Sequence, residues 1–184
     1  RRKAAKSFER AIQTELDDLA MERTTVRVKI DDGPEGADGI DRIEILITST
    51  ESGIDYSKSV ASYVHDYLGL SRRCRVIEAK QACYAATGAV QMGVAYVASG
   101  ISPGAKVLVI ATDVTLVDAH SEYTEPAMGF GAAAVLVSDR PRIFTVDLGA
   151  FGNWSFETLD SARPAPTFDV INVDASLFAY LDCL

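Results

Sequence analysis

The sequence has no apolar run approaching the roughly 18 residues of a membrane-spanning helix, so it offers no candidate transmembrane segment. It has only three cysteines, Cys74, Cys83 and Cys183. They are odd in number and lack metal-ligand spacing, which argues against a disulfide framework and against a zinc site. Positive charge is scarce as well: 18 Lys and Arg against 26 Asp and Glu leave a net charge of −8. That balance argues against nucleic acid as a main partner, because phosphate binding needs a basic surface. The opening Arg1-Arg2-Lys3-Ala4-Ala5-Lys6 is basic but lacks the apolar core of a secretion signal. No internal repeat or low-complexity tract is visible. Cytoplasmic residence is the expectation.

What is present is an ordinary globular balance, 48% hydrophobic and 24% charged over 184 residues, enough for one domain with a buried core. Residues 3–19 place Phe8, Ile12, Leu16 and Leu19 at helical spacing. Residues 24–30 are β-branched and alternating, as in a short strand or an extended arm, and residues 31–36 carry a loop signal. Residues 43–48 form a short apolar run that suits a strand covered on both faces of a parallel sheet. Residues 57–68 then read as an amphipathic helix stopped by Gly69. Residues 75–78 suggest a strand, and residues 83–99 a helix apolar nearly all round, hence buried on every side. Its Gly88 and Gly93 imply close approach by another backbone. Residues 107–112 and 132–137 read as further buried strands, and residues 143–148 alternate as a half-exposed antiparallel strand. A last helix, residues 174–184, has Asp174 as its cap. The order describes an α/β fold with a mixed sheet and flanking helices.

Two residues stand where chemistry is available. Cys83 follows a strand and opens the small-residue helix. A thiol at a helix N-terminus sits near the positive end of the macrodipole and among unpaired N–H groups, which favours thiolate and can stabilise an oxyanion. On position alone it reads equally as a small core residue. Glu51, in Thr48-Ser49-Thr50-Glu51-Ser52-Gly53, ends a buried strand, where ligands gather in open α/β sheets. A carboxylate there can serve as a general base, or merely cap the next helix.

Longer segments carry a resemblance. Glu78-Ala79-Lys80-Gln81-Ala82-Cys83-Tyr84-Ala85-Ala86-Thr87-Gly88-Ala89 resembles the nucleophile segment of the HMG-CoA synthase family, within the thiolase superfamily. Thr50-Glu51-Ser52-Gly53-Ile54-Asp55 is similar to that family's catalytic glutamate segment. Val107-Leu108-Val109-Ile110-Ala111-Thr112-Asp113 is similar to the strand that follows, and Glu125-Pro126-x-x-Gly129-x-Gly131-Ala132 to its Pro/Gly turn. Residues 143–148, Ala162-Arg163-Pro164-x-Pro166 and residues 176–183 look most like the branch that installs β-branches in polyketides.

The resemblance implies a thiolase-like fold, N-terminal half, with a buried nucleophile helix. It implies a condensing acyltransferase in which Cys83 accepts acetyl and Glu51 removes a methyl proton. The carbanion then adds to the β-ketone of an acceptor thioester, with Tyr123 and Thr87 lining the pocket and no metal or other cofactor. Partners would be an acyl carrier protein or a CoA thioester, and a second copy of the chain as a homodimer. Arg72, Arg73 and Arg75 would meet an acidic carrier. Two other outcomes stand beside it: a primary-metabolism enzyme using acetyl-CoA and acetoacetyl-CoA, and a non-catalytic thiolase-fold scaffold.

The sequence departs from the family in specific places. The family's catalytic His comes from a second half, and neither His65 nor His120 matches its segment. His65 reads as a surface or packing residue and His120 as a loop residue. The opening strand is absent, and residues 29–40 and 113–125 are short for the family. The expectation is one incomplete N-terminal domain over residues 1–184, with chain breaks near 31–39 and 114–123.

Overall fold

The computed structural model describes residues 6, 10, 42–114, 128–150, 152–165 and 168–184. The chain divides into two units, Arg1–Asp41 and Arg42–Leu184. Of the first, Lys6 and Arg10 are described, both helical and exposed, within the helix expected over residues 3–19. The arm expected at 24–30, the loop at 31–36 and the chain breaks near 31–39 lie outside the described residues.

The second unit is built on a four-stranded sheet in the order β2-β1-β3-β4. Strand β1 (Ile43–Ser49) lies between β2 (Arg75–Ala79) and β3 (Lys106–Val114) and is parallel to both. Strand β4 (Phe130–Val137) runs antiparallel along β3. The mixed sheet is therefore as expected, and its physical basis is plain. Leu46, Ile47, Thr48, Ser49 and Thr50 are buried in unbroken succession, as in a strand covered on both faces. Ile47, Val107 and Val109 pack with Ala89 on one face, while Leu46 packs with Ala61 and Cys74 on the other. Burying each of these large aliphatic side chains contributes about 1.5–3 kcal/mol.

The two faces are covered by α1 (Val60–Tyr67) and α2 (Ala85–Ala98). Helix α1 ends as expected at Gly69, whose φ of +59° is cheap only for glycine. There the Leu70 N–H bonds the His65 carbonyl at 3.1 Å and the Gly69 N–H bonds the Asp66 carbonyl at 3.0 Å. Its start falls later than residue 57, because Asp55 first folds the chain. The Asp55 carboxylate accepts from the Lys58 N–H at 2.6 Å and the Ser57 N–H at 2.7 Å, and these bonds hold it below the usual carboxylate range.

Helix α2 corrects two expectations. It buries one stripe, Ala85, Ala89 and Gly93, rather than its whole circumference; Gln91, Met92 and Ala95 are exposed. Its glycines make room for side chains, not for another backbone. A Cβ on Gly93 would meet Val107 Cγ1 at 3.1 Å, and one on Gly88 would meet the Tyr84 ring at the same distance. Strand β4 is a sheet edge and mostly exposed, so it is not the buried strand expected over 132–137.

Beyond β4 the differences grow. Residues 143–148 form no strand; Ile143, Phe144, Val146 and Leu148 are all exposed. Instead β5 (Ser161–Ala165) and β6 (Phe168–Ile171) make an antiparallel hairpin. Its register slips between Ala162 and Ala165, where Pro164 has no N–H to donate. Helix α3 (Val173–Asp182) is capped by Asn172, which accepts from the Ala175 N–H at 3.0 Å, and Asp174 sits in its first turn. No helix among the described residues is long and apolar enough to cross a membrane.

Candidate active site

Parallel strands deliver their carboxyl ends to one edge of the sheet. Here β1 leads to Glu51, β2 to Cys83 and β3 ends around Asp113. Glu51 and Cys83, 32 residues apart in sequence, meet there: the Cys83 thiol donates to Glu51 Oε1 at 3.3 Å.

Cys83 does not open the helix. Helix α2 starts at Ala85, and Cys83 lies in the turn that joins it to β2. The Tyr84 N–H closes this turn on the Gln81 carbonyl at 3.1 Å, and the Ala85 N–H bonds the Ala82 carbonyl at 3.2 Å. Ala82 pays the conformational cost: its φ is +42°, a region that costs an L-residue about 1–2 kcal/mol. Strain of this kind persists where surrounding structure enforces it, and it gathers at functional turns. The result is an exposed sulfur aimed at the end of β1.

The electrostatics also differ from expectation. The Cys83 thiol is pushed above its ordinary range, first by its hydrogen bond to Glu51, then by partial burial and by the Glu51 charge. Its own backbone N–H pulls the other way, and Asp113 adds a smaller upward push. The neighbouring carboxylate thus outweighs any help from the helix end. The resting pair is a neutral thiol donating to a carboxylate that can take its proton.

Sequence reasoning missed Asp113. Its carboxylate accepts the Glu51 N–H through Oδ1 at 3.2 Å and Oδ2 at 3.1 Å, the Ser52 hydroxyl at 2.6 Å and the Thr50 hydroxyl at 3.3 Å. Ser52 Oγ in turn accepts the Val114 N–H at 2.9 Å. One carboxylate from β3 therefore fixes the backbone on which Glu51 stands. The available signal was an acidic residue at the end of a buried strand next to the one bearing Glu51.

The remaining residues distribute as follows. Thr87 lies exposed in the first turn of α2, and no hydrogen bond joins it to Cys83 or Glu51 among the described residues. Tyr123 and His120 lie outside the described residues. His65 is occupied structurally, its Nε2 2.9 Å from the Ser71 carbonyl. Arg72 and Arg73 precede β2 and Arg75 begins it, so the strand's five residues, roughly 15 Å, separate this cluster from the Cys83 end. Arg75 also donates to the Tyr96 hydroxyl at 3.0 Å and lies 3.9 Å from Glu44. Among the described residues, no three His, Cys, Asp or Glu side chains gather as a metal site.

Residues 10–141 match the family described as hydroxymethylglutaryl-coenzyme A synthase N terminal. The chain belongs to this family. It is 50% identical over 152 residues to the polyketide biosynthesis 3-hydroxy-3-methylglutaryl-ACP synthase PksG of Bacillus subtilis, covering 78% of this chain and 36% of the relative. It also superposes on the curacin biosynthetic pathway HMG synthase in complex with holo donor-ACP, with a TM-score of 0.74 and 48% identity, covering 77% of this chain and 35% of that one. Against MvaS in complex with 3-hydroxy-3-methylglutaryl coenzyme A the TM-score is 0.72 at 34% identity, covering 77% and 34%. The thiolase-like α/β fold is thereby established for this HMG-CoA synthase family chain, and so is its resemblance to synthases of polyketide and curacin biosynthesis. It spans about a third of the length of these relatives.

Proposed function

We propose that this protein is an acyl-condensing enzyme of HMG-CoA synthase type, joining a Cys83-bound acetyl group to the β-ketone of a carrier-protein-bound polyketide intermediate. The observation that carries the reading is the 3.3 Å hydrogen bond from the Cys83 thiol to Glu51. In the first step Cys83 attacks the thioester of an acetyl donor while Glu51 takes the thiol proton. The sulfur–acetyl bond forms, the carrier thiol leaves, and the proton returns to it. Glu51, ionised again, removes a proton from the acetyl methyl. The enolate carbon adds to the acceptor's ketone, whose oxygen takes a proton, and water then cleaves the Cys83 thioester.

The enolate and tetrahedral oxyanions need donors in a site that excludes water. The Cys83 N–H, near enough to act on its own sulfur, supplies one. Thr87, on the exposed face of the first turn of α2, and Tyr123 complete the acyl pocket in this proposal.

A carrier-protein donor is favoured over CoA because identity is higher to the synthases of polyketide pathways, 50% and 48%, than to MvaS at 34%. The acyl group must reach the sheet end bearing Cys83, and Arg72, Arg73 and Arg75, at the other end of β2, are the basic residues proposed to meet the acidic carrier body. We place the enzyme in the cytoplasm as a homodimer, for which the exposed edge of β2 and the open groove along α2, between Lys80, Gln81, Tyr84 and Met92, offer a face. Residues 1–184 then form a single N-terminal thiolase-like half.

The test is acetyl transfer. The intact protein is incubated with acetyl-carrier protein or with acetyl-CoA, and the Cys83 peptide is read by mass spectrometry, with Cys83→Ala as control. Acetyl from the carrier alone is expected. Acetyl from CoA alone would move the enzyme to primary metabolism, and none from either would make the chain a scaffold.

A further inference from the structure

Helix α1 is capped in an unusual way. Its N-cap residue, Ser59, makes no side-chain cap bond; the Ser59 hydroxyl instead meets that of Ser62 at 3.3 Å. The cap comes from neighbouring strands. Glu78 Oε2 on β2 accepts the Val60 N–H at 2.8 Å and the Thr48 hydroxyl at 3.0 Å, and Thr48 Oγ1 on β1 accepts the Ala61 N–H at 3.1 Å. Thr48 is fully buried. The other Glu78 oxygen lies beside Gly53, 3.4 Å from where a Cβ would stand.

A serine at the N-cap position normally serves a helix start locally. Here a carboxylate from β2, the strand that leads to the Cys83 turn, does it. That carboxylate consequently ties both ends of the segment bearing Glu51, Thr48 before it and Val60 where it enters α1, and passes beside Gly53 within it. Asp113 grips the same segment from β3 on the other side. The loop is thus strung between carboxylates of both flanking strands, and the β2 side is continuous with the Cys83 turn.

We propose that Glu78 is a positioning residue that holds the Glu51 loop in register with the Cys83 turn. This rests on the reading of Cys83 and Glu51 as the reactive pair. Glu78 touches neither side chain, and it is absent from the groups that shift the Cys83 thiol. Its effect on the thiol must therefore pass through the position of Glu51.

The measurement is the pH dependence of Cys83 alkylation by iodoacetamide, followed on the Cys83 peptide so that Cys74 and Cys183 do not intrude. Glu51→Gln replaces the charged acceptor of the thiol's hydrogen bond with a weaker neutral one and removes the Glu51 charge, so the profile moves to lower pH and Cys83 reacts several-fold faster near pH 8. Glu78→Ala, which releases the loop, shifts the profile in the same direction. Glu78→Gln retains the wild-type profile, because its amide oxygen accepts the same two hydrogen bonds. A purely structural cap would lower thermal stability in Glu78→Ala and leave the profile in place; a shift in Glu51→Gln without one in Glu78→Ala overturns the positioning role alone. No shift in Glu51→Gln overturns the reactive pair and this role with it. Should Glu78→Ala fail to fold, Thr48→Val tests the same strut: a shift toward lower pH supports it and an unchanged profile rejects it.

Discussion

Glu51 and Cys83 are neighbours held by opposite means. Glu51 stands on backbone gripped by side chains: Asp113 holds its own N–H and the Ser52 hydroxyl, and Glu78 holds the loop's exit at Val60. Cys83 stands on a turn closed by main-chain bonds, with the strain placed on Ala82. A base needs a defined distance to two successive protons, first on sulfur and then on carbon. A nucleophile must swing from its base to a carbonyl carbon. A hydrogen-bonded frame suits the first task and a bare, strained elbow the second.

The strongest way to break the contrast is at the reacting groups. Glu51→Gln is expected to lower condensation by about 10²–10⁴-fold, measured as product on an acceptor carrier, because the proposed general base is lost. Next comes the frame. Asp113→Ala leaves the Glu51 N–H and the Ser52 hydroxyl without their partner, at a cost of about 1–3 kcal/mol in denaturant unfolding and with a clear loss of turnover. Gly93→Ala tests packing away from the site. Its Cβ would stand 3.1 Å from Val107 Cγ1, so a loss of about 1–3 kcal/mol is expected with Cys83 alkylation unchanged. The smallest effect belongs to the elbow. Ala82→Gly relieves the positive φ but frees the unfolded chain, so stability should change by no more than about 1 kcal/mol. A large change there would mean that the turn is held by more than its main chain.

Much of this was legible in the sequence because burial and chain order constrain it. The unbroken apolar run around Leu46 and Ile47 marks a strand covered on two faces, and α1's stop is written in Gly69. Glu51 stands out by following a buried strand, and Cys83 by standing between a strand and a small-residue helix. The frame around them was not legible. Asp113 lies 62 residues from Glu51 in sequence, and nothing local says that its carboxylate turns toward the end of β1. Glu78 reads as part of a strand and caps a helix it does not belong to. Local capping rules misled at Asp174, where Asn172 one turn-entry earlier does the work, and the Pro164 hairpin was hidden because proline signals a break. Helix α2 was misread as wholly buried since its small apolar residues carry no sign of which stripe meets the sheet. The direction of the thiol's shift was also out of reach: helix-end reasoning favours thiolate, and only the 3.3 Å contact with Glu51 shows why the neutral thiol prevails.

The central claim, that Cys83 and Glu51 form one condensing site, is tested most directly by following product. Acetyl-carrier protein and a β-ketoacyl-carrier acceptor are supplied together, and the acceptor's mass is read for the added branch. The wild-type protein is expected to form it, while Cys83→Ala and Glu51→Gln each abolish or nearly abolish it. Branch formation at the wild-type rate in either variant would contradict the account.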